Sequence, residues 1–194
     1  SVRRGPKLAL NSISLSLNAG ETLAVVGESG AGKSTLINAI LGLVPLQSGR
    51  IAWMGQPVKA CKPALVMQEP RSAFNPRLPL RRSILEPIHA QGLAIPEGRM
   101  ARLCEALDLP LSLLDRRPGQ VSIGQAQRAG IVRALIPKPP LILFDEPLSA
   151  LDAVSQKRTA RLIRDLQEHE GFAALIVTHD LGYALAYSKE IAIL

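Results

Sequence analysis

A glycine-rich stretch that ends in lysine and serine carries the strongest chemical signal in the sequence. Residues 27–34 read G-E-S-G-A-G-K-S and fit the pattern G-x-x-x-x-G-K-[ST]. The apolar run 22–26 before it predicts a buried strand, and the run 34–43 after it predicts a helix. Glycines in such a loop let backbone N–H groups approach a phosphate closely at the helix N-terminus. The sequence therefore predicts a phosphate-binding loop.

Two side chains of this loop have direct roles in phosphate chemistry. Lys33 would reach the β- and γ-phosphates of a nucleotide, and the hydroxyl of Ser34 would ligate Mg²⁺. The residues of the loop that we expect to bind the nucleotide are Gly27, Ser29, Gly30, Gly32, Lys33, Ser34 and Thr35.

A pair of acids ends a second apolar run. Residues 141–144 predict a buried strand, and Asp145 and Glu146 follow it. Because ligands of open α/β sheets bind at the carboxyl edge, both carboxylates are expected near the phosphate loop. Asp145 would hold Mg²⁺ directly or through water, and Glu146 would polarise the water that attacks the γ-phosphate. The alternative is an acid pair that only caps the next turn.

The order of the remaining elements predicts an α/β fold. Strands that alternate with helices imply a mostly parallel sheet flanked by helices. Residues 69–133 are rich in Pro, Arg and Leu and predict an inserted helical subdomain, so the core of this single domain would comprise residues 1–68 and 134–194. Further strands are expected at 13–17, 50–54, 64–68, 173–178 and 190–194, and further helices near 82–90, 97–107, 124–135, 154–166 and 180–188.

Charge and composition narrow the possible partners. The 194 residues carry a formal charge of +7, and ten arginines lie between Arg71 and Arg133. This balance is typical of proteins that bind nucleic acid or an anionic membrane surface, although a solvated basic face remains open. Aromatic residues are not interleaved with the basic ones, which argues against nucleic acid. No apolar run approaches the roughly 18 residues of a membrane helix. The chain begins without Met and stops on an apolar run, so we expect a fragment of a longer protein.

Four more motifs occur in a fixed order and lead to a family resemblance. Gln68 ends a predicted strand, residues 121–125 read V-S-I-G-Q before a helix, residues 149–152 read S-A-L-D, and His179 follows the strand 173–178. With the phosphate loop and the acid-ended strand, they resemble the ATP-binding cassette (ABC) ATPases, specifically the nucleotide-binding subunits of ABC transporters. The resemblance covers nearly the whole chain and implies the P-loop NTPase fold of that family.

The resemblance also implies roles for these residues. Ser122, Gly124 and Gln125 match the L-S-G-G-Q signature, which would bind the nucleotide held by a second subunit. Asp152 belongs to the segment similar to the D-loop, which crosses to the partner subunit.

Gln68 looks like the Q-loop glutamine, which contacts Mg²⁺ and water, and His179 looks like the switch histidine, which contacts the γ-phosphate. The cofactors implied are ATP and Mg²⁺. The implied catalytic residues are Lys33, Gln68, Glu146 and His179, and the implied metal ligands are Ser34, Gln68 and Asp145. ATP binding would close a head-to-tail dimer and hydrolysis would release it.

The chain departs from the family pattern at two places. Ile123 stands where the signature usually has its first glycine, which is costly if that position needs a positive φ and tolerated if the side chain points away. We expect it to be tolerated. Residues 1–20 contain no Phe, Trp or Tyr, although the family usually places an aromatic residue there to stack on adenine.

A finer resemblance points to one branch of the family. Residues 68–70 read Q-E-P and residues 74–77 read F-N-P-R, similar to the Q-D-P and L-N-P-R of the peptide and nickel importers, although residues 75–76 alone also fit a simple turn. The branch implies membrane permease subunits, a second ATPase that is identical or different, and indirectly an extracytoplasmic solute-binding protein. It also implies a peripheral location on the cytoplasmic face of the inner membrane.

Two alternative functions stay open. One is an ABC-type subunit of a soluble enzyme complex such as the carbon–phosphorus lyase system. The other is a DNA-maintenance ATPase, which is disfavoured because the middle of the chain has neither heptads nor paired cysteines. Nucleic acid is therefore not an expected partner.

Overall fold

The structure, a computed structural model, describes residues 1–4 and 7–194, with side chains at 1–2 and 9–194. Within these residues the β-strands are β1 (Val2–Arg4), β2 (Lys7–Leu10), β3 (Thr22–Val26), β4 (Ala52–Trp53), β5 (Gln56–Pro57), β6 (Ala64–Val66), β7 (Leu141–Asp145), β8 (Ala173–Thr178) and β9 (Glu190–Ile193). The α-helices are α1 (Lys33–Ile40), α2 (Leu80–Gln91), α3 (Arg99–Ala106), α4 (Ile123–Leu135), α5 (Ala153–Glu170) and α6 (Leu181–Tyr187).

A five-stranded parallel sheet forms the centre of the molecule. Its order is β6-β7-β8-β3-β9, and every neighbouring pair is parallel. The register pairs Val26 at the end of β3 with Thr178 at the end of β8, and Asp145 at the end of β7 with Val177. The carboxyl ends of these strands therefore meet at one edge. The predicted α/β class with a mostly parallel sheet is confirmed.

Helices cover both faces of this sheet, because alternate strand residues point in opposite directions. In β7, Leu141 and Leu143 pack into the cluster that holds α1, whereas Ile142 and Phe144 pack into the cluster that holds α2 to α5. All four are buried, as a strand covered on both faces requires.

A helical segment, residues 70–136, connects β6 to β7. It contains α2, α3, α4 and three short 3-10 helices. Arg99 of α3 is only 3% exposed. Its guanidinium donates to the carbonyls of Leu135 and Ile136 and pairs with Glu170 at 2.9 Å, so it ties this segment to the end of α5. The division into an inserted subdomain and a core remains a prediction.

The prediction of a strand at residues 13–17 is wrong. The segment belongs to none of the described strands; Ile13 and Leu17 are half-buried against the α1 cluster, while Leu15 is 40% exposed. An alternating pattern requires only an extended chain with one apolar side, and it does not supply a neighbouring strand. The predicted strand 50–54 is likewise reduced to β4, which pairs with β5 in a separate antiparallel ribbon.

No helix among the described residues is long and apolar enough to cross a lipid bilayer.

Candidate nucleotide site

The phosphate loop joins β3 to α1 and contains two positions that favour glycine. Gly32, immediately before α1, has φ 105°, a left-handed backbone that other residues rarely adopt. A Cβ atom there would lie 2.7 Å from the carbonyl oxygen of Ala9, and a Cβ atom on Gly27 would lie 2.8 Å from that of Leu194. The loop is therefore packed against neighbouring backbone, which fixes its shape.

Lys33 is the first residue of α1 and is 7% exposed. Its Nζ atom donates to the carbonyl oxygens of Gly27 at 2.7 Å and Glu28 at 3.0 Å. The same Nζ lies 4.0 Å from Oε1 of Glu146. The ammonium group is therefore held over the loop by two carbonyls and a carboxylate.

Asp145 ends β7 beside Ser34, the second residue of α1. Burial raises the pKa of the Asp145 carboxyl, and the neighbouring Glu146 raises it further, whereas the hydrogen bond from Ser34 and the charge of Lys33 oppose the rise. The Ser34 hydroxyl and the Asp145 carboxylate are hard oxygen donors of the kind that Mg²⁺ prefers. Together with Gln68, which lines the same cavity, they are the side chains that would hold a magnesium ion.

Glu146 has an unusual backbone conformation. Its φ is 44°, in the left-handed region, and its N–H donates to the Val177 carbonyl at 2.8 Å. Along a regular strand, consecutive side chains point to opposite faces. The left-handed residue interrupts this alternation, and both Asp145 and Glu146 line the same cavity.

His179 follows β8 and lies opposite Glu146. Its Nδ1 atom is 2.8 Å from Oε2 of Glu146, and its side chain is 63% exposed, so the ring lies at an open edge of the site. Glu146 thus contacts His179 through one oxygen and faces Lys33 with the other.

These groups surround one open cavity of about 600 Å³ at the carboxyl edge of the sheet. It is lined by Ser29, Gly30, Gly32, Lys33, Ser34, Thr35, Gln68, Asp145, Glu146 and His179. All of them were expected from the sequence to bind nucleotide, bind metal or take part in catalysis, and Gly27 contributes the carbonyl that holds Lys33.

The signature segment lies outside this cavity. Ser122 is the N-cap of α4: its Oγ accepts a hydrogen bond from the Gln125 N–H at 3.1 Å, and the Gln125 side chain accepts one from the Ser122 N–H at 2.9 Å. Ser122 is exposed, and neither it nor Gly124 lines the cavity. Ile123 is the first helical residue, with an ordinary negative φ and 41% exposure, so this chain needs no glycine there for its backbone.

Asp152 is also outside the cavity and acts as the N-cap of α5. Its Oδ1 atom accepts hydrogen bonds from the N–H groups of Val154 and Ser155, each at 3.0 Å. Hydrogen bonds from the Ser155 hydroxyl and from these backbone groups lower the pKa of the Asp152 carboxyl.

Backbone groups are what the sequence-based interpretation missed. The Glu28 carbonyl holds Lys33, and the Val177 carbonyl fixes the turn at Glu146. Neither residue type nor spacing signals such contacts, because any residue can supply a carbonyl.

A parallel sheet with a phosphate loop, an acid pair and a histidine at its carboxyl edge defines a P-loop nucleotide hydrolase. Three comparisons make the class more specific. Residues 10–149 match the family model described as ABC transporter. The chain is similar to the nickel import ATP-binding protein NikE of Shigella dysenteriae serotype 1 (strain Sd197), with 38% identity over 95% of this chain and 74% of that protein.

The chain is also similar to the oligopeptide transport ATP-binding protein OppF of Escherichia coli (strain K12), with 36% identity over 96% of this chain and 60% of that protein. Among solved structures, the dimeric post-hydrolysis state of the ATP-binding cassette MJ0796 bound to ADP and Pi has a TM-score of 0.83 and 26% identity. That match covers 99% of this chain and 89% of that one. This chain belongs to the ABC transporter family, and it is an ATP-binding and ATP-hydrolysing cassette. The resemblance to the peptide and nickel importer branch is confirmed.

Proposed function

We propose that this chain powers the import of peptides, nickel or other metal chelates by binding and hydrolysing MgATP on the cytoplasmic face of the inner membrane. The observation that carries the ATPase assignment is the cavity in which Lys33, Asp145, Glu146 and His179 meet beside the phosphate loop. The proposal of a peptide or nickel cargo is supported by the names of the similar proteins NikE and OppF.

The side chains of the cavity suit phosphoryl transfer to water. When a triphosphate occupies the loop, Lys33 would exchange the carbonyls of Gly27 and Glu28 for phosphate oxygens and neutralise part of their charge. Mg²⁺, held by Ser34 and Asp145 with Gln68 beside it, would supply further charge neutralisation.

We assign to Glu146 the role of the base that activates the attacking water. Its Oε2 contacts His179 at 2.8 Å, which fixes the carboxylate at the open side of the cavity. A carboxylate so fixed can accept a proton from a water molecule in line with the γ-phosphate. His179 would orient Glu146 and contact the γ-phosphate.

The exposed signature segment is the basis for proposing a second ATPase subunit. Ser122 and the first turn of α4 present a helix N-terminus, which favours an anion such as a γ-phosphate. Because this helix end does not line the chain's own cavity, we assign it to the nucleotide of a partner in a head-to-tail pair. Asp152, at the N-terminus of α5, would lie at the same interface.

A mixing experiment tests the head-to-tail arrangement. Lys33→Ala disables the phosphate loop and Ser122→Ala disables the signature. In a head-to-tail homodimer, a mixed pair has one site with both defects and one intact site, so mixing should raise turnover above that of either variant alone. If the two segments act within one chain, mixing restores nothing. If restoration requires another ATPase from the same source, the natural pair is a heterodimer.

Purification from solubilised membranes tests the transport assignment. The tagged protein should recover integral permease subunits, and an associated solute-binding protein would identify the cargo. A tagged Lys33→Ala protein is the matched control, because contacts with the permease do not require this lysine. Recovery of only soluble enzymes would instead support the soluble-complex alternative, and recovery of DNA would support the maintenance ATPase. The ATPase assignment stands in each case.

A further inference from the structure

A short segment connects the phosphate cavity with the interior of the helical segment. We call residues 68–74 the linking segment. Gln68 at its start lines the cavity, and Phe74 at its end is 4% exposed in the cluster formed by α2 to α5. A 3-10 helix, Pro70–Ala73, lies between them. One end of this segment can therefore contact a nucleotide's metal and water, while the other is fixed among helices.

Arg71, in the middle of the linking segment, contacts the chain just before the signature. Its Nη2 atom donates to the carbonyl oxygen of Val121 at 2.6 Å. Val121 is buried and directly precedes Ser122, the N-cap of α4. A hydrogen bond from a charged donor is stronger than one between neutral groups. Arg71 therefore holds the peptide unit from which α4 begins.

A second arginine fixes the same segment to the other end of α4. The guanidinium of Arg133 donates to the Ala73 carbonyl, lies 6.0 Å from the centre of the Phe74 ring, and is 3.5 Å from the carboxylate of Glu86 in α2. The linking segment is thus attached to α4 near both of its ends. Arg133 anchors it to the helical interior, and Arg71 contacts the signature end.

We propose that Arg71 is a positioning residue that couples the occupancy of the phosphate cavity to the placement of Ser122. The inference rests on the proposed function, in which Ser122 acts on the nucleotide of the partner subunit. When Gln68 takes up a position beside bound nucleotide, the Arg71–Val121 hydrogen bond transmits this movement to the first turn of α4. Nucleotide binding within the chain's own cavity does not depend on Arg71.

The test compares Arg71→Met, Arg71→Lys and the control Arg77→Met in the purified protein, together with its partner ATPase where the mixing experiment requires one. Arg77 is exposed and lies six residues further on. Arg71→Met should lower kcat about tenfold, the loss expected for a hydrogen bond from a charged donor. The KM and Kd for MgATP should stay within about twofold. Arg71→Lys should recover part of kcat because it keeps the charge and one donor. Arg77→Met should leave kcat, KM and Kd unchanged.

Hydrogen exchange provides a readout that does not need turnover. In the wild type, adenylyl imidodiphosphate with Mg²⁺ should slow exchange both in the phosphate loop and at the start of α4. In Arg71→Met, the protection of the loop should persist and that of α4 should be lost. Equal protection at both places in Arg71→Met, or a wild-type kcat, would overturn the proposal, as would parallel losses of loop protection and thermal stability. A wild type that protects both regions but never hydrolyses ATP would refute the proposed function and leave the coupling standing.

Discussion

The cavity at the carboxyl edge of the sheet and the exposed N-terminus of α4 are the two halves of the proposed ATP site, and they are built differently. In the cavity, side chains that follow three different strands approach one another: Lys33 faces Glu146, and Glu146 contacts His179. At α4, the polar groups of Ser122 and Gln125 bond mainly to each other and the segment faces solvent. The first half is assembled within one chain, whereas the second is an exposed surface.

This difference explains what each half can do alone. The cavity brings together the cation of Lys33 and the side chains that we propose as metal ligands and base, so we expect it to bind a nucleotide without a second subunit. The α4 surface has a helix N-terminus and a hydroxyl, which attract an anion but hold none of the groups that activate water. Substitutions in the two halves should therefore have separable effects.

The largest effect is expected from Glu146→Gln in the cavity. The amide keeps the shape of the side chain but cannot accept the proton of the attacking water, so turnover should fall at least on the order of a hundredfold. ATP should still bind, because Lys33 and the loop are unchanged. Single-turnover assays and an equilibrium titration with ATP measure the two quantities. An active Glu146→Gln protein would refute the assignment of the base.

A smaller loss of turnover, again with unchanged ATP binding, is expected from Ser122→Ala on the exposed half. The variant loses the N-cap bond to the Gln125 N–H and the hydroxyl offered to the partner's nucleotide. Turnover should fall roughly tenfold, the value of one hydrogen bond to a charged group, while the Kd for ATP in the chain's own cavity stays unchanged. Ser122→Thr is the matched control, because threonine keeps both functions of the hydroxyl. A weakened Kd in Ser122→Ala would contradict the separation of the two halves.

The smallest effect is expected from Asp152→Ala, and it depends on pH. The pKa of this carboxyl is lowered in the folded chain, so its stabilising contribution is fully present above the unfolded value near 4 and is lost as the pH falls through the folded value. The variant should melt about 3 °C lower than the wild type at pH 7, and the difference should shrink below about pH 4. Thermal unfolding at several pH values measures this. Asp152→Asn, which keeps the cap but not the charge, should melt between the wild type and the alanine variant at pH 7, and its difference from the alanine variant should not depend on the titration of this carboxyl. A difference that grows in acid would contradict the capping role.

The sequence predicted the strands and side chains around the cavity better than the backbone contacts that hold them. The strands 22–26 and 173–178 agree with the structure to the residue, because buried parallel strands are continuous apolar runs with sharp ends. Residues 13–17 were mispredicted because alternation reports an extended chain and not its pairing. The fold class and the set of residues around the cavity were predicted from motifs.

What the motifs could not supply are contacts made by carbonyl groups. The bonds from Lys33 to Glu28, from Glu146 to Val177 and from Arg71 to Val121 all end on backbone oxygens, which every residue has. Only the folded structure shows which carbonyls lie within reach. The exposed position of Ser122 relative to the cavity is likewise a property of three-dimensional packing.

The left-handed backbone at Glu146 places the stability of the fold and ATP hydrolysis in conflict at one residue. Glycine and asparagine adopt such a conformation more readily than glutamate, so either would relieve the local backbone strain. If Glu146 is the base, as proposed, a substitution that relieves this strain would also end ATP turnover. A population that must keep turning over ATP has to retain this less stable residue and obtain its robustness elsewhere in the fold.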